Sequence, residues 1–128
     1  MKSIALDSNI VIDILNNKSS TISIIERYHL ICLPIVVCGE LLYGAHNSQK
    51  YEMNLQVVHA FINKCTLLET NYLVADQYAK IRLQLKKIGK PIPENDIWIA
   101  ALCIVNDIPL LSFDKHFIDI TSLKLIHK

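Results

Sequence analysis

Several absences bound this 128-residue chain before any motif is considered. It has no long apolar run: the longest, over 30–38 and 97–105, fall well short of the roughly 20 residues a membrane-spanning helix needs. Only Ile4, Ala5 and Leu6 precede the first acid, Asp7, too few for the apolar centre of a signal peptide. A cytoplasmic protein with no membrane association is expected. No Cys-x-x-Cys spacing occurs, and Cys32, Cys38, Cys65 and Cys103 each lie in an apolar stretch, which predicts buried free thiols and neither a zinc site nor disulfides. There is no excess of either charge: a formal +1 excludes a general polyanion binder, so any nucleic-acid contact must come from a local patch. Internal repeats, low-complexity segments and long linkers are also missing, and one domain over 1–128 is expected.

What the chain does have is apolar content, 52% of residues with a mean hydropathy of +0.31. That excess fits strands buried on both faces and does not fit disorder. The pattern predicts strands at 3–6, 31–33, 66–68, 109–111 and 123–126. Between them it predicts helices at 9–15, capped by Ser8 or Asn9, then 20–28, 34–45 opened by Pro34, 50–63, 71–88 and 94–106. Residues 44–49 are expected to turn, and Gly89 to stop the longest helix. Strands alternating with helices imply an α/β fold, an α/β/α sandwich around a central, mainly parallel sheet.

Four acids interrupt or border core segments. Asp7 ends the run Ser3-Ile4-Ala5-Leu6, and Asp114 follows Pro109-Leu110-Leu111-Ser112-Phe113. Glu40 breaks into an apolar helix, and Asp96 opens Ile97-Trp98-Ile99-Ala100-Ala101-Leu102. Carboxylates are seldom buried unless they are paired or bind a metal. Taken singly, Asp7 can be a helix cap, Asp96 a first-turn acid facing the helix dipole, and Asp114 ordinary turn chemistry. Glu40 has no such excuse nearby. Asp7 and Asp114 both follow strand C-termini, where open parallel sheets place their ligand crevice, so all four can reach one sheet edge.

Two carboxylates about 4 Å apart repel by roughly 4 kcal/mol at an effective dielectric of 20. Four together must take up protons, recruit Lys or Arg, or bind a hard cation. An all-oxygen donor set suits Mg2+ or Mn2+, and no paired histidines argue for zinc. Such ions activate water, polarise a phosphoryl oxygen and stabilise a leaving oxygen. The residues therefore predict a metal-dependent phosphohydrolase or nuclease.

At these positions the chain resembles the PIN-domain ribonucleases, specifically the VapC toxins of bacterial toxin–antitoxin pairs. The matching motifs are Leu6-Asp7-Ser8-Asn9, then Gly39-Glu40-Leu41-Leu42-Tyr43-Gly44-Ala45, then Ile92-Pro93-Glu94-Asn95-Asp96-Ile97-Trp98, and Leu110-Leu111-Ser112-Phe113-Asp114-Lys115-His116-Phe117. In order and spacing they span nearly the whole chain. The resemblance implies a Mg2+- or Mn2+-dependent endoribonuclease acting on structured RNA, tRNA or rRNA. It casts Asp7, Glu40 and Asp96 as the acidic triad and Asp114 as a fourth metal-binding acid, at a position often Asn in the family. Asn9 would orient Asp7 or a metal-bound water, and Ser8 stands where many relatives have Thr. A homodimer and a cognate antitoxin that blocks the site with a basic side chain are also implied.

Arg82, Lys86, Lys87 and Lys90, leading toward Asp96, and Lys115 beside Asp114 are candidate phosphate contacts, with an ordinary solvated face as the alternative. His46 and His116 are expected to be surface or partner-contact residues, Asp13 a surface acid, and Trp98 a core residue. Two rivals share these features: a phosphatase for small phosphate esters, and a module that binds RNA or protein without cutting.

Overall fold

The computed structural model describes residues 2–127. Five strands form one sheet: β1 (Ser3–Leu6), β2 (Leu30–Pro34), β3 (Thr66–Leu68), β4 (Leu110–Ser112) and β5 (Leu125–His127). Six helices connect them: α1 (Ser8–Leu15), α2 (Ser19–Ile25), α3 (Ile35–His46), α4 (Tyr51–Asn63), α5 (Tyr72–Lys87) and α6 (Glu94–Val105), with a 3₁₀ turn at Lys115–Asp119. The strand order is β3-β2-β1-β4-β5 and every pairing is parallel.

This order explains the composition. β1 lies at the centre with Ile4, Ala5 and Leu6 wholly buried, and its neighbours bury Cys32, Leu33, Leu110 and Leu111 completely. A strand covered on both faces gains nothing from alternation, so it reads as a continuous apolar run. The chain first moves outward from β1 to β2 to β3, then returns across the sheet to β4. The right-handed rule for parallel crossovers, applied to this strand order, assigns α1–α4 to one face and α5–α6 to the other, and α3 packs on α4 while α5 packs on α6. The result is the α/β/α sandwich. α6 buries Ile97 and every residue from Ile99 to Cys103, as its apolar circumference predicted.

The boundaries depart from expectation at informative places. α1 begins at Ser8 and is capped by Asp7, whose carboxylate accepts from the Ser8 N–H, so neither Ser8 nor Asn9 is the cap. Pro34 is the last residue of β2 and sits at the N-cap of α3, because it still pairs in register with Leu68. α3 runs to His46, through the segment expected to turn at 44–45. α2 ends at Ile25, short of Tyr28. The free thiols are as expected at Cys32, Cys38 and Cys103, with Cys65 half-buried. Among the described residues, no helix is long and apolar enough to cross a membrane.

Candidate active site

The sheet reverses its winding between β1 and β4, and in open parallel sheets the crevice beyond the strand ends opens at that switch. Register then does the local work. Ala5 pairs with Leu110 and Leu6 with Leu111, so the next residue of each strand, Asp7 and Ser112, fall side by side. The Asp7 N–H donates to Leu111 O at 3.0 Å. The Ser112 hydroxyl, wholly buried, donates to Asp7 Oδ2 at 2.7 Å, and the Ser8 N–H donates to Asp7 Oδ1 at 2.9 Å. Asp7 is thus held at both oxygens while only 5% exposed.

Glu40 comes from the second turn of α3, and the Ser8 hydroxyl donates to its Oε1 at 3.0 Å. The Asn95 side chain lies close enough to Glu40 to favour its charged form. Asp96 comes from the first turn of α6, where the helix N-terminus favours a carboxylate, and is 8% exposed. Asp114 lies two residues past β4 and caps the 3₁₀ turn, accepting from the His116 N–H at 3.0 Å while its own N–H donates to Ser112 Oγ at 2.9 Å. One buried hydroxyl therefore orients two of the four acids.

Shared partners link the four: Ser8 joins Asp7 to Glu40, Ser112 joins Asp7 to Asp114, and His116 joins Asp114 to Asp96. Burial pushes the Asp7 carboxyl above its ordinary range, the Ser112 hydrogen bond opposes this, and Asp114 adds repulsion. Burial likewise raises Glu40, with repulsion from Asp7 and Asp96. Asp96 is raised by burial and by Asp7 and Asp114, against a lowering hydrogen bond from His116. Neutralising such a cluster at physiological pH calls for cations. His116 faces two of the acids: its Nδ1 lies 2.9 Å from Asp96 Oδ2 and 3.0 Å from Asp114 Oδ1. These contacts lift the imidazole above its ordinary pKa, the Asp96 hydrogen bond foremost.

The donor set also fits a divalent ion. Asp96, Asp114 and His116 can each offer one ligand atom with all three within 4.8 Å of one another. Asn9, two residues beyond Asp7, has a buried Oδ1 with no hydrogen-bond partner. An orphaned buried oxygen is costly, and a metal or its hydration shell would satisfy it.

Other residues fall elsewhere. Arg82 and Lys86 line a cleft of about 350 Å³ with Tyr78, Leu85, Pro91, Ile92, Glu94 and Ile97. There Arg82 donates to the Tyr78 hydroxyl at 3.0 Å, and that hydroxyl donates to Glu94, two residues from Asp96. Lys87 is exposed and outside that lining, and Lys115 is exposed on the turn beside Asp114. Lys90 faces Asp119 instead, at 3.6 Å. His46 is exposed at the end of α3. Trp98 is half-buried and stacks on Tyr78, centroids 4.1 Å apart and planes 13° from parallel. One expectation needs correction. Asp13 is not a free surface acid, because it accepts from the buried Thr21 hydroxyl at 2.9 Å and ties α1 to α2. His116 is exposed, as expected, while the turn also folds its ring against Asp96.

Ser112 and Asn95 have roles that the motifs alone did not mark. Ser112 has a signal in the chain, as the one polar residue in an otherwise apolar strand. The contact of His116 with Asp96 has none, since it depends on the 3₁₀ turn.

Comparison with known proteins agrees with this fold. The model of the PIN-domain family matches residues 4–123. Ribonuclease VapC2 of Haemophilus influenzae is 36% identical over 100 residues, covering 75% of this chain and 74% of the relative. The tRNA(fMet)-specific endonuclease VapC of Shigella flexneri is 35% identical over 99 residues, 74% of each chain. Among solved structures, VapBC2 from Rickettsia felis bound to a DNA fragment from its promoter matches with a TM-score of 0.91 at 25% identity, over 98% of both chains. VapBC-1 from nontypeable Haemophilus influenzae matches at 0.88 and 28% identity, over 98% of this chain and 97% of that one.

Proposed function

This chain belongs to the PIN-domain family, in its VapC toxin branch, and on that premise we propose that it is a divalent-metal-dependent endoribonuclease toxin, acting as one domain in the cytoplasm. The observation that carries the proposal is the convergence of Asp7, Glu40, Asp96 and Asp114 from four separate elements at the sheet's switch point, with three of the four held above their ordinary pKa. A binding module gains nothing from that repulsion.

Asp7, Glu40, Asp96 and Asp114 would hold Mg2+ or Mn2+, and Asn9, with its unpartnered buried Oδ1, would orient Asp7 or a metal-bound water. A bound dication supplies Lewis acidity at the phosphoryl group and acidifies a water molecule. The protein's share is positional. Ser8 and Ser112 fix the Asp7 oxygens, Ser8 also fixes Glu40, and His116 braces Asp96 against Asp114. Attack on a phosphodiester in structured RNA, tRNA or rRNA, would leave a 5′-phosphate and a 3′-hydroxyl. Arg82, Lys86, Lys87 and Lys115 would contact substrate phosphates, a source of affinity independent of sequence.

Partners follow from the surface. A groove of about 590 Å³ runs from Ser8 and Glu40 along Ile12, Leu41, Val57 and Val58. An antitoxin segment with apolar side chains and a terminal cation fits it, the cation lying against the acids. Tyr72 and Leu73, 88% and 66% exposed on α5, support a homodimer.

Incubating the purified protein with total RNA, with Mg2+ or with EDTA, tests the activity. Discrete fragments that require the metal and vanish with Asp96→Asn are expected. Unchanged cutting by Asp96→Asn would sink the assignment, and hydrolysis of small phosphate esters alone would favour a phosphatase.

A further inference from the structure

In the proposed dication site the imidazole of His116 only braces the acids, yet it carries a donor atom of its own. Its Nδ1 stands 2.9 Å from Asp96 Oδ2 and 3.0 Å from Asp114 Oδ1. Two donors at right angles on an ion, each about 2.1 Å from it, lie about 3.0 Å apart, so both separations are those of adjacent corners of an octahedron. The three donor atoms also lie within 4.8 Å of one another, close enough to serve one ion together.

The turn that carries the ring is fixed. Phe117, the next residue, is wholly buried. Upstream, the Asp114 N–H donates to Ser112 and the His116 N–H donates to Asp114. Downstream, Gln84 on α5 donates to Asp119 O at 3.2 Å. A ligand delivered by a tethered backbone costs little to order when the ion arrives.

We propose that His116 ligates the bound ion through Nδ1, so that this chain has a mixed carboxylate–imidazole site that prefers a first-row transition dication, such as Mn2+, to Mg2+. The inference rests on the dication site proposed above. Carboxylates and water suit Mg2+ and Mn2+ alike, whereas an imidazole nitrogen favours transition ions. In the ligated state the neutral ring carries its proton on Nε2, so Nδ1 turns from hydrogen-bond donor to metal donor. The carboxylates that now bracket Nδ1 become its neighbours in the coordination shell.

Metal-free wild-type protein and His116→Gln are titrated with Mn2+ and with Mg2+ by calorimetry. The Mn2+-loaded samples are then examined by pulsed EPR for imidazole 14N coupling. The wild type is expected to show that coupling and the variant to lack it. Mn2+ affinity should fall ~10-fold or more in the variant, and Mg2+ affinity less than about threefold. The wild-type spectrum decides the matter even if the variant folds poorly. Mn2+ that binds without 14N coupling, and is lost in Asp96→Asn, overturns imidazole ligation and leaves the carboxylate site standing. No Mn2+ binding by the wild type overturns both.

Discussion

At the scale of single residues, the site is held by hydroxyls. Ser112 donates to Asp7 and accepts from the Asp114 backbone, and Ser8 links Asp7 to Glu40. Removing the Ser112 hydroxyl leaves a buried Asp7 oxygen without its donor, at a cost of about 1–3 kcal/mol. The larger effect should be on the ion. Ser112→Ala is expected to weaken divalent binding ~10- to 100-fold, because partners that orient metal ligands have effects of that size. Cleavage measured against Mn2+ concentration should show the midpoint displaced upward with much of the rate recovered at excess metal. A variant with the wild-type midpoint would show that Ser112 does not orient the ligands.

At the scale of elements, α5 supports the site from outside the cluster of acids. Its N-cap, Asn71, accepts from the Val74 N–H at 3.0 Å, and Gly89 follows its C-terminus with φ of +70°. Asn71→Ala should cost about 1 kcal/mol, as for other lost caps. Gly89→Ala should cost a similar ~1 kcal/mol through backbone strain alone, since a Cβ there meets nothing within 4 Å. Urea midpoints report both losses, while cleavage per folded molecule should stay at the wild-type level. A drop in specific activity from either change would mean that the end of α5 is coupled to the acids. The same element shows what local pattern could reveal. Its apolar spacing and the glycine stop marked both ends nearly to the residue. α1 was harder, because Ser8 and Asn9 are each good caps and only the turn of the chain after β1 selects Asp7.

At the scale of the whole molecule, the cluster makes stability depend on pH and metal together. Asp7 and Asp96 are raised from an ordinary 3.8, and Glu40 from 4.5, chiefly by burial. An acid raised on folding keeps its proton in the folded state where the unfolded chain has lost it. Its contribution is therefore favourable at low pH and is lost as pH climbs through the folded value. His116 is raised from 6.5, so the stability from its pairing is complete below that value and is lost as pH rises through its folded value. Both effects run in one direction. In EDTA the melting temperature should fall as pH rises from the ordinary carboxylate values of 3.8 and 4.5 through the raised folded ones, and again above 6.5 as His116 loses its proton. Added Mn2+ should restore it. Asp7→Asn should flatten that slope in thermal scans. Metal-free stability that rises toward pH 8 would contradict the buried, mutually repelling cluster.

The sequence by itself determined the alternation of strands and helices, the double-sided burial of the sheet and the four acids at its borders. Those follow from apolar runs and chain order, which are local and readable. The motif spacing carried the family as well. Tertiary structure alone decided that Asp7 and Ser112 stand side by side, because that depends on the register between strands 105 residues apart. It alone turned Asp13 toward Thr21, Lys90 toward Asp119 and His116 toward Asp96. Which side chains face one another across the crevice is set by crossovers and by a 3₁₀ turn, and neither leaves a periodic trace in the chain.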